Sequence, residues 1–453
     1  MKKACFTLIV AIVSIGNNYA AELPEPVANT DYYDDGAPNE LKVNLGNLLF
    51  FDKILSGNKN ISCGTCHSPF MSGGDGLSLG VGEGGEHLGP MRTLGAGEQA
   101  IASRVARNAP SLWNVGAAEF TKLNWQGVHS YNAERDLLAL PSGPATPDGL
   151  DNVLAGQALF PVTNVTEMLG QLGDNDIVDA SIGFPRGTPF LFPPQWDAIA
   201  ARLQQIPEYV RLFIDAFSEI ENAEDITFVH AANAIAAFET HAFRSNQSPF
   251  DRYLNGERQA LTVKQKRGLD LFYDRVNGVG AGCWSCHSGP FQTDHDFHAI
   301  AVPQFGPGVL PAPEYQDYGR EEVTRDPADR FKFRTPSLRN VAITFPYGHN
   351  GAFGSLEAII KHHLSPVESL NSWDKSQVTM KVSDEFSDAD FEGYDDLTLR
   401  NELADANELN PVQLSQSEID DLIEFLTALT DPTVMNMHWM IPAEVPSGLP
   451  VGD

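Results

Sequence analysis

Apolar residues recur at helical spacing in several separate stretches of this chain. Gln195 to Leu203, Pro207 to Phe217 and Asp225 to Thr240 each place them on one side of a helix. Asn44 to Phe51 reads as an earlier helix, and Leu261 to Phe272 as a later one with Thr262 as its cap. Ser355 to His363 carries a stripe of Leu356, Ile359 and Ile360. A last helix through Leu429 puts Ile419, Leu422, Ile423 and Leu426 on one face, with Ser415 or Ser417 as the cap. Two stretches break this pattern. Residues 22–40 are rich in Pro, Asp, Asn and Gly and read as an irregular arm, and Ser72 to Gly95 is dense in glycine and reads as a loop. The expected class is mainly α.

The N-terminus carries a different signal. Lys2 and Lys3 precede an apolar run from Ala4 to Ile15, and small residues follow to Ala20 and Ala21. This is the layout of an export leader, residues 1–20, cleaved near Ala20. The run is too short to be preferred as a membrane anchor, so a periplasmic protein without stable membrane insertion is expected. Without Lys2 and Lys3, 28 basic side chains face 60 acidic ones, a formal charge of −32. Nucleic acid is thereby disfavoured as a partner, because its phosphates would be repelled. A basic redox partner would be attracted, although the same charge also serves solubility.

Cysteine spacing then supplies chemistry. Apart from Cys5 in the leader, the chain holds Cys63, Cys66, Cys283 and Cys286, and each pair is followed at once by a histidine, His67 and His287. Two structural disulfides, thioredoxin-like pairs or a zinc site would use the same cysteines, but none of these requires histidine after both pairs. Cys-x-x-Cys-His is the attachment signature of haem c. The cysteines clamp the porphyrin through thioethers and the adjacent imidazole turns to the iron. Two motifs far apart imply two cytochrome c-like domains, each with one covalent haem, expected at residues 21–258 and 259–453. Met435, Met437 and Met440 near the C-terminus are read as packing residues rather than iron ligands.

The segments "LLFFDKILSGNKNISCGTCHSP", "ARNAPSLWN" and "FKFRTPSLRNVAITFPYGHNG" carry a further resemblance. From about Leu41 to Leu429 the chain resembles the bacterial dihaem cytochrome c peroxidase family, including relatives that oxidise amino-acid side chains of other proteins. The resemblance implies that the first haem, ligated by His67, meets peroxide, and that the second, ligated by His287, passes electrons. It matches Gln157 and Glu167, ten residues apart, to the groups that orient peroxide and move its proton. It matches Trp125 to an electron path between the haems, and Asn108, Thr344 and Pro346 to ligands of a calcium ion between the domains. Taken alone, Glu167 would be read as a surface carboxylate, Trp125 as a core residue, and Asn108 as part of a turn.

Three departures bear on the reaction. Where many members carry a loop histidine that blocks the first iron, the nearest match is Glu83, with His87 four residues later. Glu83 is preferred as the match, which implies an open first haem. Fourteen residues after His349, where classical members place a methionine on the second iron, this chain has His363, with His362 as the competitor. An imidazole there would lower the haem potential relative to a thioether. The segment after Trp125 is altered to "WQGVHS", which introduces His129, read as an outer contributor rather than a ligand. The expected activity is reduction of hydrogen peroxide to water with electrons from a small redox protein such as a c-type cytochrome. The alternatives are a dihaem oxidase of a protein or other organic substrate, or a pure electron carrier. The resemblance also admits a homodimer.

Overall fold

The computed structural model describes residues 21–97, 100–185, 187–274, 280–309, 315–381 and 389–452. The leader expected at 1–20, with Cys5, lies outside them. The expected helices form with small shifts at their ends: Glu40–Phe51, Phe192–Gln204, Pro207–Ala216, Phe228–Ala242, Val263–Phe272, Leu356–Leu364 and Gln416–Thr427. Their starts follow the capping chemistry. The Thr262 side chain accepts from the Gln265 amide, and Ser355 accepts from Ala358. Ser415, rather than Ser417, caps the last long helix and pairs reciprocally with Glu418.

The same helix crossing occurs twice. Glu40–Phe51 lies against Phe228–Ala242, and Val263–Phe272 lies against Gln416–Thr427. A Cβ on Gly46 would sit 1.9 Å from the Ala234 carbonyl oxygen and 2.9 Å from the Phe238 Cβ. A Cβ on Gly268 would sit 1.9 Å from the Asp421 carbonyl oxygen and 2.8 Å from the Phe425 Cβ. Only glycine lets the two backbones approach so closely. The first helix of each crossing leads into one attachment motif, and each crossing anchors one apolar core.

The first core gathers Leu45, Leu49, Phe50, Phe213 and Phe238, and the second Leu269, Phe272, Phe353, Leu399 and Phe425. Phe250 and Leu79 pack into the second core, and Val434, Met437 and Met440 return to the first. Asn47 donates to the Met440 carbonyl at 2.6 Å and Ser447 to Asp52 at 2.6 Å, tying the C-terminal tail down. Strand content is small. The segment after Trp125 contributes to an antiparallel sheet of Lys122–Leu123, His129–Asn132 and Leu137–Ala139, which the reading of the sequence did not anticipate.

Charged pairs knit the two cores. Arg104 meets Asp390 at 3.0 Å and Arg339 meets Asp251 at 2.6 Å, all nearly inaccessible. Arg107 forks onto Asp317 with two 2.7 Å bonds and reaches Glu322 at 2.9 Å. Among the described residues no helix is long and apolar enough to cross a membrane.

Candidate active site

The first attachment motif begins as a single helical turn, Cys63–Cys66, directly after the helix Glu40–Phe51 and its short connection. Neither cysteine is in a disulfide with another described residue. His67 ends the turn, and its Nδ1–H donates to the Gly73 carbonyl at 3.1 Å. That bond leaves Nε2 as the lone-pair nitrogen, the form in which an imidazole binds a metal. Burial also lowers the His67 pKa, favouring the neutral ring. This donor set fits a covalently held haem.

Glu167 sits on a π-helical turn, Val165–Leu169, begun by Asn164. Asn164 caps the turn with its oxygen and donates its amide to Glu167 Oε1 at 2.7 Å. Burial raises the Glu167 carboxyl to about 7. Its charge acts on the Cys63 sulfur, so the carboxyl stands near the first motif. Gln157 is half-buried on the short helix Val153–Ala158. The glycine-rich loop packs against the Glu167 turn so tightly that a Cβ on Gly82 would lie 1.9 Å from the Thr166 carbonyl oxygen. The next residue, Glu83, is held at Oε1 by Asn58 at 2.8 Å and Asn60 at 2.9 Å. His87 is exposed, with a left-handed backbone, and its carbonyl accepts from Arg92.

A carboxyl that the sequence reading missed lies on the other long helix. Glu239 is 6% exposed, its Oε2 has no hydrogen-bond partner, and burial raises its pKa to about 8. It too acts on the Cys63 sulfur. Its helical position gave the sequence reading no signal. The matching position in the second crossing is Leu426.

His129 is also buried. Its Nδ1–H donates to Asn124 Oδ1 at 2.5 Å, its ring lies against Phe160, and burial drives its pKa down to about 3. These contacts place it next to the segment that follows Gln157.

The second motif opens on a cavity lined by Cys283, Cys286, His287 and His363, with Leu356, Ile359 and Ile360 from the expected apolar stripe. His287 Nδ1–H donates to the Gln292 carbonyl at 3.2 Å, and His363 Nδ1–H to the Ile359 carbonyl at 2.8 Å. Each ring therefore keeps Nε2 free. The two rings stand with centroids 6.3 Å apart. An iron bound to both nitrogens at about 2 Å would separate the ring centres by about 6 Å. His362 turns away from this cavity. It is fully buried, Nε2–H donates to the Ile300 carbonyl at 2.7 Å, and Nδ1 accepts from Ser369 at 3.0 Å.

The same cavity extends to Trp125, Asn108, Thr344, Pro346 and His349. Trp125 Nε1–H donates to the Asn108 carbonyl at 2.9 Å, and Asn108 Nδ2 donates to Leu77 at 2.7 Å. The His349 ring stacks on Phe333 with centroids 3.6 Å apart. The residues expected to hold an ion and to carry electrons between the haems are thus neighbours.

Residues 40–259 match the family model of di-haem cytochrome c peroxidases. The chain is 31% identical to the methylamine utilization protein MauG of Methylorubrum extorquens, over 73% of this chain and 70% of that one. It is 30% identical to the cytochrome c551 peroxidase of Pseudomonas aeruginosa, over 75% of this chain and 77% of the relative. The crystal structure of a MauG-like protein associated with microbial copper homeostasis superposes with a TM-score of 0.55 at 25% identity, covering 95% of this chain and all of that one. The chain belongs to the bacterial dihaem cytochrome c peroxidase and MauG-like family. It is an oxidoreductase whose family implies two covalently bound c-type haems.

Proposed function

We propose that this enzyme activates hydrogen peroxide at the first haem and works in the periplasm after removal of residues 1–20. The observation that carries the reading is Glu167, a buried carboxyl with a pKa of about 7, held by Asn164 beside the first motif. When bound, haem supplies the O–O cleavage and stores oxidising equivalents. Glu167 accepts the proton of the incoming peroxide and returns it to the departing oxygen, a task suited to a group that titrates near neutrality. Gln157 orients the peroxide through its amide. His67 is oriented by Gly73, and His287 and His363, which would hold the second iron, are oriented by Gln292 and Ile359. Trp125 lies on the electron path, and calcium at Asn108, Thr344 and Pro346 would stiffen it.

Two sources of electrons fit this site. A small c-type cytochrome would make the enzyme a peroxidase, as the name of the Pseudomonas aeruginosa relative describes. A protein or other organic substrate would make it an oxidase. Glu83 favours the second reading. It is tethered by two asparagines at the position where many members of the family carry a blocking histidine. An open first iron needs no reductive release, and a bis-histidine second iron would have a lowered potential.

The test is peroxide consumption by the dihaem protein with a reduced small cytochrome, the fully ferric and partly reduced enzyme side by side. Rapid turnover in both supports a peroxidase with an open site. Reaction of the ferric enzyme with peroxide, with little cytochrome turnover, supports the oxidase. No reaction with peroxide in either form overturns the proposal.

A further inference from the structure

At the edge of the second haem cavity lies a histidine that the reaction above does not use. His298 lines the cavity beside Cys286, and its ring is held on both sides by carboxylates. Nε2 meets Asp294 at 3.0 Å and Nδ1 meets Glu408 at 3.0 Å. A neutral imidazole has one N–H, so only the doubly protonated ring donates to both. The Cys286 sulfur, an Asp294 oxygen and a His298 nitrogen lie within 4.8 Å of one another. In the holoprotein that sulfur is the thioether that fixes the porphyrin, so a cation stands at the porphyrin's edge.

We propose that His298 is a positioning charge for the second haem: as an imidazolium it stabilises the reduced iron, and its loss of a proton couples the haem potential to pH. A positive charge near the macrocycle favours the form that has gained an electron, and at partial burial the field is weakly screened. The surroundings set when the proton leaves. Burial opposes the charged ring, but hydrogen bonds and charge from Asp294 and Glu408 outweigh it, so its affinity for the proton is raised. The other charged groups around the pair are Lys332, 3.2 Å from Glu408, and Arg334, which acts on Asp294. Burial lowers Arg334 only to about 10, so it keeps its proton while His298 titrates. Burial opposes the charge on Asp294, but hydrogen bonds from the Asp296 amide and His298 outweigh it and hold Asp294 ionised. The proton that couples to the iron is thus assigned to His298, and the second haem potential falls as pH rises through its titration.

The inference rests on a haem being attached at Cys283 and Cys286, so both haems are first counted by absorption after denaturation in pyridine. The second-haem midpoint is then followed by spectroelectrochemical titration across pH in the wild type, His298→Gln and Glu408→Gln. The wild type should show a midpoint that falls with pH. His298→Gln should show a lower midpoint in acid and lose that inflection. Glu408→Gln should move the inflection to lower pH, because one of the two stabilising carboxylates is gone. With both haems present, an unchanged midpoint and slope in His298→Gln, or an unmoved inflection in Glu408→Gln, overturns the proposal and assigns the pH dependence to the haem propionates. Absence of the second haem in the wild type would instead undo the cofactor reading on which it rests.

Discussion

His363 faces His287 across the second cavity at 6.3 Å between ring centroids, while the adjacent His362 has both nitrogens engaged. Adjacent helical residues point about 100° apart, so only one of the two can enter the cavity. His363→Met should therefore replace a bis-histidine spectrum with that of a histidine–methionine haem and raise its potential. His362→Gln should leave the ligation spectrum unchanged. Near-infrared magnetic circular dichroism separates the two ligand sets directly. A ligation change in the His362 variant alone would reverse the assignment.

Glu167 predicts a pH profile. Its carboxyl is protonated below about 7 and ionised above, because burial disfavours the charge. A base that must accept the peroxide proton works in the ionised form. The rate of reaction with peroxide should therefore rise with pH through about 7, and Glu167→Gln should abolish that limb. Loss of a positioned acid–base group costs about 10²–10⁴-fold in rate. Asn164→Ala removes a hydrogen bond from the ionised carboxylate, so it should shift the limb to higher pH and reduce the rate less. Stopped-flow mixing with peroxide reads both effects.

The Arg107 fork predicts an asymmetry between two acids. One guanidinium faces two carboxyls and cannot neutralise both. Asp317 takes the bidentate pair and is held ionised, at about 2, by Arg107 against the cost of burial. Glu322, beside that negative charge and itself buried, is raised and keeps its proton. Asp317→Asn should cost up to about 3–5 kcal/mol, because it removes the bidentate carboxylate and leaves Arg107 only Glu322, which must give up its proton to pair with it. Glu322→Gln should cost about 1 kcal/mol or less, since a neutral acid is exchanged for a neutral amide. Denaturant unfolding of the holoprotein compares the two. Equal losses would contradict the assigned protonation.

Much of this architecture was legible because local rules carried it. Helical periodicity located the long helices, and Ser355, Thr262 and Ser415 marked their starts. Spacing alone identified the attachment motifs. Other features depend on contacts distant in sequence and left no local trace. The short strands at 122–139 pair through backbone hydrogen bonds that no apolar alternation announces. The choice between His362 and His363 required knowing which helix face meets Ile300 and Ser369 and which meets the cavity. The return of Met437 and Met440 to the first core depends on a tail crossing the molecule. Asn164 was the exception among missed site residues: three positions before Glu167, at the start of its turn, it stood where a side chain can both cap and hold an acid.

Glu239 offers a test in stability rather than turnover. In the unfolded chain a glutamate ionises near 4.3, whereas burial holds this proton in the fold to about 8. Between those values the folded state binds a proton that the unfolded state has released. Stability therefore falls as pH rises across that window and levels off above about 8. Glu239→Gln cannot ionise, so it escapes this loss. Its stability relative to the wild type should improve steadily from pH 5 to pH 8, by an amount on the order of a few kcal/mol at most. Over the same range the melting temperature of the variant should gain several degrees on the wild type. Parallel melting curves with a constant offset at every pH would mean that Glu239 is ionised in the fold. Its partnerless oxygen beside Cys63 would then require an unidentified cation or donor.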